Sequence, residues 1–410
     1  MRVEKILFAL IIGVLVVTAV IAGVKMRGGE DEPAPVVLSG EGDVSLVVVG
    51  IQGLEASMVE RLTAGGRLPN LARLIAGGAT GGYSTLGRNT DPRIVWTSLV
   101  TGMLPENQGV GGMKLSRRGE MVKAALMPSS RTVGTLWTLL SDAGESCGVL
   151  GWPGTWPVEE LAGVMVGPHS TYVLEREHGG NSAEAVFPLS QYERLDPIML
   201  DRTHFARRDL SRFINLESRQ GLEALVGQNY IALSDACAAD RSMADLATVL
   251  ASGGDVSNLF VCLAGTDVVS QRFWHYMETE AIERVDVSES ARRLLEGQVD
   301  ALGTTVDRYY DYVDELVGEL VALVGDNGTV VVITDHGYGG IPLDASGAPQ
   351  VGTDMHSEEG LWIASGPRVA AGTTASHGEL VDVAPSIMAA AGLDVPAGLD
   401  GKVHEEILAR

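Results

Sequence analysis

The first hydrophobic pattern in the chain is an unbroken one. Ile6 to Val24 carry no charge, and the run is long enough for a helix crossing a bilayer. Arg2 and Lys5 precede it, and Lys25 and Arg27 follow. A core helix would show a polar face and would not be expected to start at residue 6. A cleaved signal peptide is the competing reading, with Val20-Ile21-Ala22 as a small-residue cleavage site. The apolar core of such peptides is usually shorter, roughly 7–15 residues, so an uncleaved transmembrane signal-anchor over 1–27 is the expectation. Residues 28–43 are rich in Gly, Pro, Glu and Asp and read as an acidic linker. The flanking cations balance, so they say little about orientation. The acidic tether suits the outer side, which makes the chain a single-pass protein of the cell membrane with its globular part extracytoplasmic.

From residue 44 a second pattern takes over, in which short β-branched apolar runs alternate with helical periods. Val44 to Gly50 (VSLVVVG) has the composition of a strand buried on both faces. A helix follows from about Ala56, and Leu71, Leu74 and Ile75 keep the helical spacing after Pro69. A helix over Leu136–Leu140 leads to a strand at Cys147–Leu150, and Leu259–Leu263 gives another. A long helix with Val306, Tyr310, Val313, Val317, Leu320 and Val324 on one face leads into the strand Thr329–Thr334 (TVVVIT). Leu361–Ala364 adds a further strand. The alternation predicts an α/β fold, a largely parallel sheet with helices on both faces. Between 162 and 255 the pattern loosens, and this stretch reads as a cap inserted between two core segments, 44–161 and 256–410.

Composition sharpens the picture in three places. With 410 residues and 45% hydrophobic content, the chain can bury a large core, which excludes a disordered or disulfide-stapled scaffold. Thirty cations against 53 anions leave a net charge of −23, which repels phosphate backbones and excludes non-specific nucleic-acid binding. The segment 1–27 holds four cations and one anion, so the acidity belongs to the rest of the chain. Three scattered cysteines (Cys147, Cys237, Cys262) allow at most one bridge and no cysteine-based zinc site.

The candidate chemistry sits at strand ends. Asp335 and His336 follow directly on TVVVIT, Asp267 follows the Leu259–Leu263 run, and His356 lies in a polar loop before Leu361. The C-terminal ends of parallel strands are where α/β folds place ligands. Two imidazoles and two carboxylates form a plausible set for a divalent cation, zinc among them. Taken alone, an Asp-His pair equally fits an ordinary strand-end turn. His169, His178, His204, His377 and His404 have no such neighbours and are expected on the surface or the cap. Trp152 and Trp156 (GWPGTWP) suit either a pocket wall or a packed aromatic layer, and Phe273–Tyr276 reads as a helix packing on the sheet.

A series of segments in fixed order carries a family resemblance. It runs from VVVG with Gly53-Leu54 through PNLARLIAGGA and WTSLVTGMLPENQGV to RTVGTLWTLLSDAGESCGVLGWPGTWP. AGTDVVSQRFWHYM, TVVVITDHGYG, MHSEEGLWIASGP and LVDVAPSIMAAAGLDVPAGLDG complete it. Together they cover most of 44–160 and 256–402, and in this order they resemble the alkaline phosphatase superfamily, in its type I phosphodiesterase/nucleotide pyrophosphatase branch. The resemblance implies an alkaline-phosphatase-like core holding two divalent cations, usually zinc, roughly 4 Å apart, with a Thr or Ser nucleophile attacking phosphorus between them. One cation would be held by Asp267, the position of Gln271 and His356. The other would use the position of Gln52, the nucleophile, Asp335 and His336.

Four positions depart from that pattern. Gln52 stands where the family has Asp, Gln271 where it has His, and Gln108 where a His precedes Gly. The nucleophile position falls on Pro92, which has no hydroxyl. A neutral amide oxygen is a weaker ligand for a dication than a carboxylate or imidazole. The four remaining ligands, Asp267, Asp335, His336 and His356, split two and two between the cation positions. Thr90 or Asp91 could serve as nucleophile if the loop carried extra residues. Asp91 also suits a turn before Pro92, or a ligand replacing the carboxylate missing at Gln52. Two functions follow. One is a catalytically impaired or inactive member acting by binding a phosphoester ligand or a protein partner. The other is an active metal-dependent phosphodiesterase in which Asp91 or Thr90 compensates.

Overall fold

The computed structural model describes residues 44–87, 90–111, 113–115, 121–123, 125–168, 185–206, 208–215, 227–277, 289–339 and 356–409. The expected anchor and linker lie outside these, as do His169 and His178. Among the described residues no helix is long and apolar enough to cross a membrane.

In chain order the strands of the main sheet are β1 (Val44–Ile51), β2 (Ala79–Ser84), β3 (Cys147–Leu150), β4 (Gly163–Val166), β5 (Val186–Phe187), β6 (Asn258–Leu263), β7 (Val324–Ile333), β8 (Glu359–Ser365), β9 (Thr373–Thr374) and β10 (Gly378–Glu379); Met113–Leu115 and Met121–Lys123 form a separate hairpin. The main helices are α1 (Ala56–Ala64), α2 (Pro69–Gly77), α3 (Pro92–Thr101), α4 (Leu136–Asp142), α5 (Gln228–Ser252), α6 (Gly265–Phe273), α7 (Glu289–Leu302), α8 (Thr305–Val321) and α9 (Val383–Ala391). The ten strands form one sheet in the order β9-β2-β8-β7-β1-β6-β3-β4-β5, with β10 also on β2. β7, β1, β6, β3 and β4 run parallel, whereas β8 is antiparallel to both β7 and β2. The fold is therefore the expected α/β architecture with a largely parallel sheet.

The apolar run of β1 is explained by its place at the centre. Val47, Val49 and Ile51 face one helical layer with α1, α2, α5, α6 and α8. Leu46 and Val48 face the other, with α3, α4 and α9. From Leu46 onward the strand is covered on both faces and has no position to give to a polar side chain; Ser45, before it, is exposed.

Several expectations are corrected. β2 (ATGGYS) has no apolar run to announce it; its middle glycines leave room for the Trp362 indole of β8, which a Cβ at Gly81 would meet at 2.6 Å. Val324 starts β7 rather than ending the long helix, which stops at Val321. The 162–255 stretch supplies more than a cap: β4 pairs with β3 in the main sheet, and the 25-residue α5 packs on it through Leu233, Cys237, Met243 and Leu250. Ala, Ser and Cys fill many of the buried positions of α5 between its leucines and methionine, which blurs the helical period. His404 is only 4% exposed, set against the Asp382 and Glu406 carboxylates rather than on the surface. All three cysteines are free and buried.

The start of α2 shows how α8 positions this layer. Leu68 offers no side-chain cap, and the Asp314 carboxylate of α8 accepts instead from Asn70 N at 3.0 Å and Leu71 N at 2.8 Å. Asp314→Ala strands these buried donors and is expected to cost roughly 2–3 kcal/mol of stability. Urea unfolding of the two proteins measures the difference directly.

Candidate functional site

β1, β6 and β7 end level with one another, since Ile51 pairs with Leu263 and Gly50 with Ile333. The residues that follow each strand therefore meet at one edge of the sheet. Gln52 comes from β1, Asp267 from the first turn of α6 after β6, and Asp335 and His336 from the turn after β7. His356 arrives from the opposite direction and is fixed by a bridge to Tyr338.

Three side chains converge. Asp267 Oδ1 lies 3.4 Å from His356 Nε2 and 3.8 Å from His336 Nε2, and the three donor atoms fall within 4.8 Å of one another. The two imidazoles stack with centroids 3.8 Å apart. His336 Nδ1 is 3.1 Å from the Gly337 carbonyl oxygen, an acceptor only, so Nδ1 donates there and Nε2 is the ring atom turned to the cluster. The donor set, two imidazoles and a carboxylate, fits one divalent cation.

The supporting shell is built around Asp267. Its Oδ1 accepts a short hydrogen bond from the Tyr338 hydroxyl, which also lies 3.0 Å from the Asp267 carbonyl oxygen. Tyr338 stacks on Trp274, and its backbone N donates to Glu55 Oε2 at 2.8 Å. Gln271 Nε2 donates to Asp267 Oδ2 at 3.0 Å and approaches His356 Nε2 at 3.5 Å. Burial pushes Asp267 toward higher pKa, yet the His356 hydrogen bond, the His336 charge and the Tyr338 hydroxyl together hold it below the usual carboxylate range.

Asp335 is placed differently. Its Oδ1 accepts from Gly53 N at 3.1 Å and its Oδ2 from the Trp96 indole at 2.8 Å, with His336 Nε2 3.6 Å from that same oxygen. Burial raises its carboxyl; His336 opposes the rise and Asp267 adds to it. Gln52 turns its amide to Cys262 Sγ at 3.5 Å. Asp267, His336 and His356 bring their donor atoms within 4.8 Å of one another, and His336 Nε2 lies between the two carboxylates, 3.6 Å from Asp335 and 3.8 Å from Asp267.

The nucleophile segment forms the start of α3. Pro92 is its first residue, where a missing N–H costs nothing. Asp91 is the N-cap, accepting from Arg93 N at 3.0 Å and pairing with its guanidinium at 2.7 Å. Thr90 Oγ1 donates to the Leu86 carbonyl at 2.7 Å. Thr90, Asp91 and Pro92 line a cleft of about 230 Å³ together with Asp335, His336 and His356. A cavity of about 520 Å³ adjoins it through Asp91 and Pro92, floored by Gln52 and walled by Trp156, Pro153 and Met243. Trp152 is instead buried between Trp96 and Trp137, so the two tryptophans of GWPGTWP divide the two readings between them.

Sequence reading located the strand-end residues but not Trp96, Tyr338 or Glu55. Tyr338 sits two residues after His336, and a hydroxyl so close to a ligand motif is the one signal that could have pointed to it.

Comparison with known proteins gives three results. The sequence profile of the type I phosphodiesterase / nucleotide pyrophosphatase family matches residues 46–396. A 92-residue stretch is 32% identical to a 2,3-bisphosphoglycerate-independent phosphoglycerate mutase of Clostridium beijerinckii; it makes up 22% of this chain and spans only 17% of that enzyme. Among solved structures, murine ectonucleotide pyrophosphatase / phosphodiesterase 5, in an inactive form with AMP, aligns with a TM-score of 0.47 at 10% identity. The human counterpart gives 0.48 at 10% identity, and each alignment covers 89% of this chain and 100% of the other.

Proposed function

The chain belongs to the type I phosphodiesterase / nucleotide pyrophosphatase family, and from that premise we propose that it is a binding member in which hydrolysis is impaired or lost. Its ligand is a phosphoester, received at one divalent cation, zinc in the first instance, held by Asp267, His336 and His356. When bound, such a cation supplies electrostatic attraction for a phosphoryl oxygen. The residues of the chain do the rest. The Gly337 carbonyl orients the His336 ring, Tyr338 and Gln271 fix both oxygens of Asp267, and the 520 Å³ cavity gives room for the organic part of the ester.

The observation that carries the impaired reading is Pro92. The position that faces the cleft as nucleophile has no hydroxyl, and the neighbouring oxygens of Thr90 and Asp91 are engaged with Leu86 and Arg93. One observation favours a second reading, an active metal-dependent phosphodiesterase: Thr90 and Asp91 do line the cleft that holds His336 and His356. In the cell, the proposed setting is the outer face of the membrane, with residues 1–27 as anchor.

Turnover of bis-p-nitrophenyl phosphate by the zinc-supplemented protein separates the two. The wild type is expected to release nitrophenol no faster than Asp267→Ala. A saturable rate that disappears in Thr90→Val or Asp91→Asn establishes the second reading instead.

A further inference from the structure

We propose that the ester taken at this site carries its charge on one phosphate alone and is otherwise uncharged and largely apolar, an aryl or alkyl phosphoester rather than a nucleoside polyphosphate. The proposal rests on the phosphoester reading above and names the class of ester. It comes from what the 520 Å³ cavity offers beyond the cleft. Leu126, Pro153, Trp156, Pro168, Met243 and Val268 give that cavity apolar and aromatic walls. Such surface gains by covering an apolar group and loses by covering a charge.

The described lining has no cation set to receive a second anion. No lysine stands there, and the one guanidinium is that of Arg93. Its Nε donates to Asp91 Oδ1 at 2.9 Å and its Nη2 to Asp91 Oδ2 at 2.7 Å. A fork held by both oxygens of one carboxylate must give up that pair before it can hold an anionic group of the ligand. The start of α3, which reaches both the cleft and the cavity, is closed in the same way. Pro92 has no N–H, and the backbone N–H groups of Arg93, Ile94 and Val95 all donate to Asp91. Asp240 adds a second carboxylate to the wall, and its partners, Gly265 N and the Tyr309 hydroxyl, are neutral. A further negative charge on the ligand would thus face carboxylates with no spare cation among the described residues to offset it. The net charge of −23 adds repulsion at longer range.

Isothermal titration of the full-length, Zn²⁺-loaded protein tests this with inorganic phosphate, naphthylmethylphosphonate and a carboxylated naphthylmethylphosphonate. The P–C bond of the two phosphonates is not hydrolysed, so turnover does not disturb the titration. The plain naphthyl probe is expected to bind about 10-fold or more tighter than inorganic phosphate, and the added carboxylate to cancel that gain. Leu126→Arg puts a guanidinium into the lining at a half-buried position. It is expected to tighten the carboxylated probe by roughly tenfold and to leave the plain one within about threefold. A carboxylated probe that binds the wild type as tightly as the plain one would overturn the proposal, as would a naphthyl probe no tighter than inorganic phosphate. An unchanged preference in Leu126→Arg would trace the discrimination to the net charge of the chain and overturn the role of the cavity. No binding of any of the three probes would instead overturn the phosphoester reading itself.

Discussion

Asp267→Ala is expected to weaken Zn²⁺ binding by more than about 100-fold, since even partners outside the coordination shell typically cost 10–100-fold when removed. Asp267 is the only carboxylate of the converging triad and touches every other member of the site: His336, His356, Gln271 and Tyr338. Its loss leaves two stacked imidazoles with no carboxylate between them to offset a dication. Isothermal titration with Zn²⁺ at neutral pH measures the effect. Asp335→Ala provides the contrast. That carboxylate accepts from Gly53 and Trp96, so its removal is expected to lower thermal stability while changing Zn²⁺ affinity by less than about tenfold. Equal losses of affinity in the two variants would show that Asp335 is a ligand.

Asp240 is expected to make the protein less stable as pH rises from 4 to 7. It lies on α5, wholly buried, accepting from Gly265 N at 3.0 Å and the Tyr309 hydroxyl at 2.9 Å. Burial outweighs these bonds and pushes its carboxyl up from 3.8 to about 7. Between those values the folded state binds more protons than the unfolded state. The contribution to stability is therefore fully present below 3.8 and is lost as pH rises through about 7, at about 1.4 kcal/mol for each pH unit. Asp240→Asn removes the titration and keeps an acceptor for Gly265 N. The difference in urea-unfolding free energy between variant and wild type should move in favour of the variant by a few kcal/mol from pH 4 to pH 7. A difference that stays constant would show that Asp240 does not titrate in this range. The same residue anchors the first turn of α6, so the experiment also reports on the element that presents Asp267.

What could be read from the sequence follows a physical line. β1, β6 and β7 announce themselves because a strand covered on both faces leaves its apolar run uninterrupted, and the residues after such strands must emerge at one edge. Asp267, Asp335, His336 and His356 were legible for that reason. β2 and α5 were not, because glycine and alanine pack closely without leaving an apolar period. The partners of the site were harder still. Trp96 reaches Asp335 across 239 positions, and Tyr338 reaches Asp267 across 71. No local pattern distinguishes an indole that holds a carboxylate from one that only fills the core.

The number of divalent cations bound by the wild-type chain tests the central claim most directly. Elemental analysis after dialysis against Zn²⁺ should find one per chain, lost in Asp267→Ala and unaccompanied by phosphodiester turnover. Two cations per chain together with saturable turnover would contradict it.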